Sequence, residues 1–79
     1  MQFTQDNLDE LNVLLLFKLT TTQEGIKVHK TAPLNTIEAT RRLHQKGLIT
    51  LEDGGYLTTI GHEASEQAHL IIGLLNPSF

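Results

Sequence analysis

The sequence predicts a small α+β domain, and two neighbouring segments carry most of that prediction. In residues 43–49, Leu-His-Gln-Lys-Gly-Leu-Ile, Gly47 can take the left-handed conformation that closes a helix. In residues 53–61, Asp-Gly-Gly-Tyr-Leu-Thr-Thr-Ile-Gly, two glycines can supply the positive φ angles of a tight turn, and Thr58 or Thr59 can cap the next helix. The predicted order is helix, hairpin, helix. With 79 residues, we expect one domain, residues 1–79, with three main helices, this hairpin and a third short strand.

Capping oxygens and recurring leucines predict the first helix over about residues 5–18. The polar residues 4–7 can accept hydrogen bonds from its free N–H groups, and leucines follow at positions 8, 11, 14 and 15. The second half of this helix is apolar on nearly every side, which exceeds the single stripe that a monomer core requires. Val13, Leu16 and Phe17 are therefore candidates for contact with a partner subunit.

Alternating apolar and polar residues predict a short strand at residues 25–29 that pairs with the hairpin. Pro33 then opens a helix that runs to about Lys46 and is capped by Asn35 or begins one turn earlier. A helical wheel places four residues of this helix on its inner face: Thr36, Ala39, Thr40 and Leu43. Residues 19–32 leave room for at most one or two turns of an additional helix before it.

The apolar residues around the hairpin are expected to complete the core: Leu48, Ile49, Leu51 and Leu57, with Tyr56 covering the hairpin. A last helix is predicted from about Thr59 to Leu75, ended by Asn76-Pro77. Its core-facing or partner-facing stripe follows three- and four-residue steps through Ile60, Ala64, Ala68, Ile71 and Leu75.

The end of this last helix predicts self-association. Residues 70–75 are apolar except for Gly73, and a lone domain seldom leaves such a run open to water. We expect a homodimer through the terminal helices, with Leu70, Ile71, Leu74 and Leu75 in the interface. The alternative is that the two terminal helices cover each other within one subunit.

Composition narrows the class of protein. The chain has no cysteine, so neither a disulfide framework nor a thiolate zinc site is available. Residues 1–9 lack the pattern of a signal peptide, and the apolar stretch 13–17 is far too short to span a bilayer, so we expect a cytoplasmic protein without membrane contact. Six Lys and Arg against nine Asp and Glu give a net charge of −3, which disfavours strong binding to DNA phosphates.

The two opening segments resemble known proteins. The elements Leu43-His44-Gln45-Lys46-Gly47-Leu48-Ile49 and Leu57-Thr58-Thr59-Ile60-Gly61 flank the hairpin as in the C-terminal half of a winged helix-turn-helix domain, in which the hairpin is the wing. Residues 22–29 and 53–58 also look like a small family of conserved hypothetical proteins from gammaproteobacteria. The first resemblance implies a winged-helix-like fold. The second implies a bacterial cytoplasmic protein and assigns no catalytic or binding residue.

In a winged-helix domain, the helix before the wing is the one that would contact DNA. Its predicted outer face carries Asn35, Arg41, Arg42, Gln45 and Lys46. The arginines could reach guanine edges, and the other three residues could contact bases or phosphates. Against this interpretation, Glu38 is spaced to form ion pairs with both arginines within the helix, and Glu52 and Asp53 would place negative charge on the wing.

Catalysis and metal binding find little support in the sequence. No nucleophile elbow, phosphate-binding glycine loop or zinc-protease motif is present. His62, Glu66 and His69 share a helix face but span two turns, so ordinary surface polarity explains them better than a metal site. We expect no enzyme activity, no cofactor and no metal. Two hypotheses remain: a homodimeric DNA-binding or transcription-associated protein, and a protein-interaction module that has lost DNA contact.

Overall fold

Three helices and a small sheet alternate along the chain. The computed structural model describes residues 1–20 and 24–78. The helices are α1 (Gln5–Leu14), α2 (Leu34–Gln45) and α3 (Thr59–Leu75), and the strands are β1 (Ile26–Lys27), β2 (Ile49–Leu51) and β3 (Gly54–Leu57). The strands form an antiparallel sheet in the order β1-β3-β2. The predicted α+β class is confirmed, and the layout is winged-helix-like.

Helix α1 begins as predicted but ends four residues early. The Thr4 hydroxyl accepts a hydrogen bond from the Asn7 amide at 3.1 Å, and the Asn7 side chain accepts one from the Thr4 amide at 3.2 Å. At the other end, the Leu14 carbonyl oxygen accepts a hydrogen bond from the Ser65 hydroxyl of α3 at 2.8 Å. The chain then tightens into a turn that directs Phe17 into the core. Ser65 of α3 therefore supplies a hydrogen-bond partner for the last carbonyl of α1.

The hairpin follows the predicted pattern, and the third strand pairs with it as predicted but covers only Ile26–Lys27 of the expected residues 25–29. Gly54 and Gly55 have φ angles of 133° and 73°, which allow the tight turn between β2 and β3. Strand β1 lies on the other edge of β3, where Ile26 pairs with Gly55 and Lys27 with Gly54. In the described part of the 19–32 segment there is no additional helix, and residues 21–23 of that segment lie outside the described residues.

The caps of the other two helices are partly as predicted. Helix α2 begins at Leu34, directly after Pro33 and without a side-chain cap, so of the two predicted starts the earlier one is favoured and the Asn35 cap is wrong. Helix α3 is capped by Thr58, whose hydroxyl accepts a hydrogen bond from the Gly61 amide at 3.1 Å and donates one to the Gly47 carbonyl at 2.7 Å. This single side chain joins the end of α2 to the start of α3.

The core lies where α1, α2, α3 and the first strand of the hairpin meet. Its buried apolar residues are Val13, Leu14, Phe17, Ala39, Leu43, Ile49 and Ala68. The predicted core residue Leu51 is more than half exposed. The predicted stripe of α3 divides: Ala68 is buried with Gly61 and Ser65, and Ala64 packs against the core, whereas Ile60, Ile71 and Leu75 are exposed. Small residues are needed on the buried face because the Leu48 carbonyl oxygen lies directly against the Gly61 Cα. In the described part of the chain, no helix is long and apolar enough to cross a membrane.

Candidate functional site

Three of the five residues predicted to contact DNA are held by acidic residues of α1. Arg42 Nε donates to Glu10 Oε2 at 2.6 Å, and Lys46 Nζ donates to Glu10 Oε1 at the same distance. Asn35 Nδ2 donates to Asp9 Oδ1 at 3.3 Å. Most of the predicted DNA-contacting face of α2 therefore contributes to packing within the subunit.

Glu10 is the centre of this contact, and its side chain is only 8% exposed. Burial by itself raises the pKa of the Glu10 carboxyl group, but the hydrogen bonds and charges of Lys46 and Arg42 outweigh burial and leave the pKa below its ordinary value of 4.5. The hydrogen bond to Glu10 in turn raises the pKa of Arg42. Glu10 is therefore ionised at neutral pH, and its one buried carboxylate is shared by two cations.

Arg42 also reaches the start of α1, where Nη2 lies 3.3 Å from the Asp6 carbonyl oxygen and 3.7 Å from Asp6 Oδ1. The predicted pairing of Glu38 with the arginines of its own helix is not what the structure shows, and Arg42 binds α1 instead. Arg42 and Lys46 are one helical turn apart on α2, so both can donate hydrogen bonds to a single carboxylate of the neighbouring helix.

Arg41 and Gln45, the two remaining candidates, are exposed on α2. Arg41 lines a groove between α2, the tip of the hairpin and the segment that follows β1. We call this the basic groove and define it by Lys27, His29, Lys30, Arg41, Glu52 and Asp53, with Val28, Thr31 and Ile37 also in its lining. Pairing of β1 with β3 builds the groove, since the Val28 amide donates to the Asp53 carbonyl oxygen at 2.7 Å.

The cations of the chain divide into two sets. Lys18 is paired with Glu24 at 3.3 Å, and Arg42 and Lys46 are paired with α1. The other three, Lys27, Lys30 and Arg41, line the basic groove, and none has a carboxylate partner within 4 Å among the described residues. Sequence reasoning did not assign Lys27 and Lys30 to a site, although the predicted pairing of residues 25–29 with the hairpin was the signal that could have done so.

A second groove runs between the terminal helices α1 and α3. We call it the apolar groove, and it is lined by Phe3, Leu8, Leu11, Asn12, Leu15, Ala64, Gln67, Ala68, Ile71, Ile72 and Leu75. None of these side chains is charged, and the two polar ones are neutral amides. Phe3 is 71% exposed and Leu75 is 74% exposed, so the groove is open to solvent at both of these side chains. Sequence reasoning found the α3 side of this groove but missed Phe3 and Leu8.

The predicted dimer-interface residues fall into two groups. Val13 and Phe17 are each only 2% exposed and belong to the monomer core, so their assignment to an interface is corrected. Val13 lies where α1 packs against α2, beside Asn35 and Thr36. Phe17 follows the turn after α1, and its carbonyl oxygen lies 3.1 Å from His69 Nε2 of α3. The remaining five stay exposed at roughly half of their surface or more: Leu16, Leu70, Ile71, Leu74 and Leu75.

The histidines of α3 do not converge with Glu66 on one point. His62 Nδ1 lies 2.7 Å from Glu66 Oε1, while His69 Nε2 lies 3.1 Å from the carbonyl oxygen of Phe17. Within the described residues, no group of three or more His, Asp or Glu side chains could hold a metal ion. The absence of a catalytic or metal role remains a prediction.

The chain therefore forms a small α+β domain of winged-helix-like layout, with a basic groove beside α2 and an apolar groove between α1 and α3. The chain belongs to a family of unknown function, DUF5669, which it matches over residues 1–76. This agrees with the expected likeness to conserved hypothetical proteins. Neither a curated protein nor a solved structure matches the chain. Membership of the winged-helix superfamily remains a prediction from the layout.

Proposed function

We propose that this domain is a protein-interaction module built on a winged-helix-like scaffold, and that it acts through the apolar groove between α1 and α3. The observation that carries the proposal is the groove itself, which is continuous, uncharged and lined by large apolar side chains of both terminal helices. Monomeric domains rarely expose a contiguous apolar patch of more than about 300–600 Å², and larger patches mark interaction surfaces.

The energetics favour a covered groove. Burial of apolar surface contributes roughly 25 cal/mol for each Å² removed from water. Phe3, Ile71 and Leu75 line the groove and each expose about half of their surface or more, and none of them is in the monomer core. A protein partner that covers them gains this free energy without having to desolvate a charged group, since the groove has none.

The ion pairs formed by the basic residues of α2 support the same proposal. A winged-helix domain that binds DNA needs a basic outer face on the helix before the wing. Here Arg42 and Lys46 neutralise Glu10 within the subunit, and Glu52 and Asp53 place negative charge beside Arg41. The scaffold keeps the layout of such a domain while most of its predicted DNA contacts serve internal packing.

Site-specific photo-crosslinking in cells that express the protein tests this proposal. A photoreactive amino acid in place of Ile71, inside the groove, is expected to give a discrete adduct that disappears when Leu75→Glu is added. The matched control is a photoreactive amino acid in place of Ile60, which is 64% exposed on the same helix but outside the groove. Equal labelling from both positions, or none from position 71, would contradict the proposal.

The second candidate function is binding to duplex DNA through the basic groove. The observation that favours it is the convergence of Lys27, Lys30 and Arg41, with Gln45 exposed on the same helix as Arg41. Three phosphate contacts for each subunit correspond to a slope of about −2.7 in log affinity against log salt concentration, or about a 40-fold loss between 50 and 200 mM salt.

Fluorescence anisotropy with a mixed-sequence duplex at low and moderate salt tests the DNA hypothesis. The informative variant is Lys30→Ala with Arg41→Ala, and Lys18→Ala is the control because Lys18 lies outside the groove. Arg42→Ala is unsuitable, since it would disturb the contact with Glu10 and the fold with it. Binding that is absent at low salt, or that the double variant leaves unchanged, would eliminate this candidate.

A further inference from the structure

We propose that the partner in the apolar groove is a second copy of this chain, and that the C-terminal segment of α3, residues 70–75, provides the main contact in a two-fold symmetric dimer. This inference rests on the proposed function and names its partner. Each subunit would offer its own apolar groove and its own C-terminal segment to the other, as a two-fold interface requires.

Exposed apolar side chains surround the C-terminal segment, so a partner that buries them must cover more than the groove. At about 100° for each residue, Leu70 and Ile72 lie on nearly opposite sides of the helix, and Leu74 lies close to Leu70. Ile72 lines the groove, whereas Leu70 and Leu74 lie outside it and are 54% and 67% exposed. A short peptide lying in the groove would leave those two leucines in water. A second helical domain can cover both sides.

The exposed area matches what a stable dimer needs. Phe3, Leu8 and the five apolar residues of the C-terminal segment together expose on the order of 800 Å² for each subunit, on two sides of α3, so a dimer that covers both sides reaches the ~800 Å² per partner of a standard interface. This surface comes almost entirely from large aliphatic and aromatic side chains, as in interfaces between obligate subunits.

Charge also favours a second copy at this place. Each copy carries a net charge of −3, so contact through a surface without charged side chains brings two copies together without placing like charges side by side. The groove contains no charged residue, and the C-terminal segment of α3 contains none either. Asn12 and Gln67 supply neutral hydrogen-bonding groups within the lining.

Sedimentation equilibrium over a wide range of concentration tests the proposal on the purified full chain. The wild type is expected to have twice the mass of the 8.8 kDa chain. Ile71→Glu and Leu74→Glu are expected to raise the dissociation constant about 100-fold or more, because each would bury an unpaired carboxylate. Ile60→Glu is the matched control, with the same substitution on an exposed isoleucine of the same helix, and it should leave the mass unchanged. Far-ultraviolet circular dichroism checks that all three variants are folded.

A monomeric wild type at the highest concentration would overturn the second-copy proposal, and so would a dimer that both variants leave intact. The crosslinking experiment then distinguishes failure of the dimer from failure of the proposed interaction module. A monomer that still gives a heavier adduct from position 71 refutes the dimer but supports the interaction module. A monomer that gives no adduct refutes both.

Discussion

Replacing Glu10 with glutamine is expected to destabilise the protein much more than the same replacement at Glu24. Both carboxylates form ion pairs, but the Glu10 side chain is 8% exposed and the Glu24 side chain is 58% exposed. Glu10 accepts hydrogen bonds from Arg42 and Lys46, both at 2.6 Å, whereas Glu24 has Lys18 at 3.3 Å. The two substitutions therefore make the same chemical change in a buried and in a solvated environment.

The magnitude follows from these contacts. A hydrogen bond to a charged group contributes about 1.5–3 kcal/mol net, and Glu10 accepts two of them. Glutamine keeps one carbonyl acceptor, and Arg42 and Lys46 are exposed enough to regain some hydration, so we expect a loss of about 2 kcal/mol. For Glu24→Gln, an exposed pair predicts a loss of about 0.5 kcal/mol or less.

The stability that Glu10 contributes should depend on pH. Its pKa in the folded protein lies below the ordinary value of 4.5, so the folded state favours the ionised carboxylate. The contribution is therefore fully present above about pH 4.5 and is lost as the pH falls through the lower, folded-state pKa. Glutamine does not titrate, so the difference between wild type and Glu10→Gln should shrink as the solution is acidified.

Urea unfolding followed by far-ultraviolet circular dichroism measures these differences. Protein concentration is held constant, because self-association makes the apparent free energy of unfolding depend on concentration. The midpoint should fall for Glu10→Gln while the slope with urea stays the same. A Glu10→Gln variant as stable as wild type at pH 7, or a difference that persists unchanged at pH 3, would refute the role assigned to the buried carboxylate.

Two further pairs of substitutions test how α3 is seated. Gly61→Ala should destabilise the fold because the new methyl group would meet the Leu48 carbonyl oxygen. Gly73→Ala, whose methyl group would meet nothing within 4 Å, should stabilise α3 by about 0.5–1 kcal/mol. Shifts of the same sign in the thermal unfolding temperatures of the two variants would contradict this packing. Thr58→Ala should lower the free energy of unfolding by about 1–2 kcal/mol because the helix cap is lost, whereas Thr59→Ala should change it very little. Equal urea midpoints for the two variants would show that the cap has no energetic role.

Local signals in the sequence were sufficient for most of the secondary structure. The last helix, Thr59–Leu75, has the predicted bounds, and Gly47 closes α2 with a φ angle of 78°. The glycines of the hairpin and the cap of α3 were predicted in the same way. These features depend on backbone conformations and hydrogen bonds between residues close in sequence, so residue type and spacing can reveal them.

Periodicity could not say which side of each helix would face the core. A helical wheel groups residues by face, but the choice between faces depends on which element packs against them. Ala68 of the predicted stripe is buried, but Ile60 is exposed because Gly61 and Ser65 allow the closer approach of α3 to the Leu48 carbonyl oxygen and to α1. Val13 was predicted for an interface and lies in the core because α1 packs against α2 at this residue.

For the candidate sites, too, some features follow from the sequence and others depend on tertiary packing. Sequence alone determined that basic residues lie in the middle of the chain and that the end of α3 is apolar, since both are matters of composition. Only the tertiary structure decided that Arg42 and Lys46 neutralise Glu10, while Arg41 is left beside Lys27 and Lys30. The physical reason is that an ion pair between helices depends on distance and burial, and residues 32 to 36 positions apart meet only when α1 and α2 have packed together.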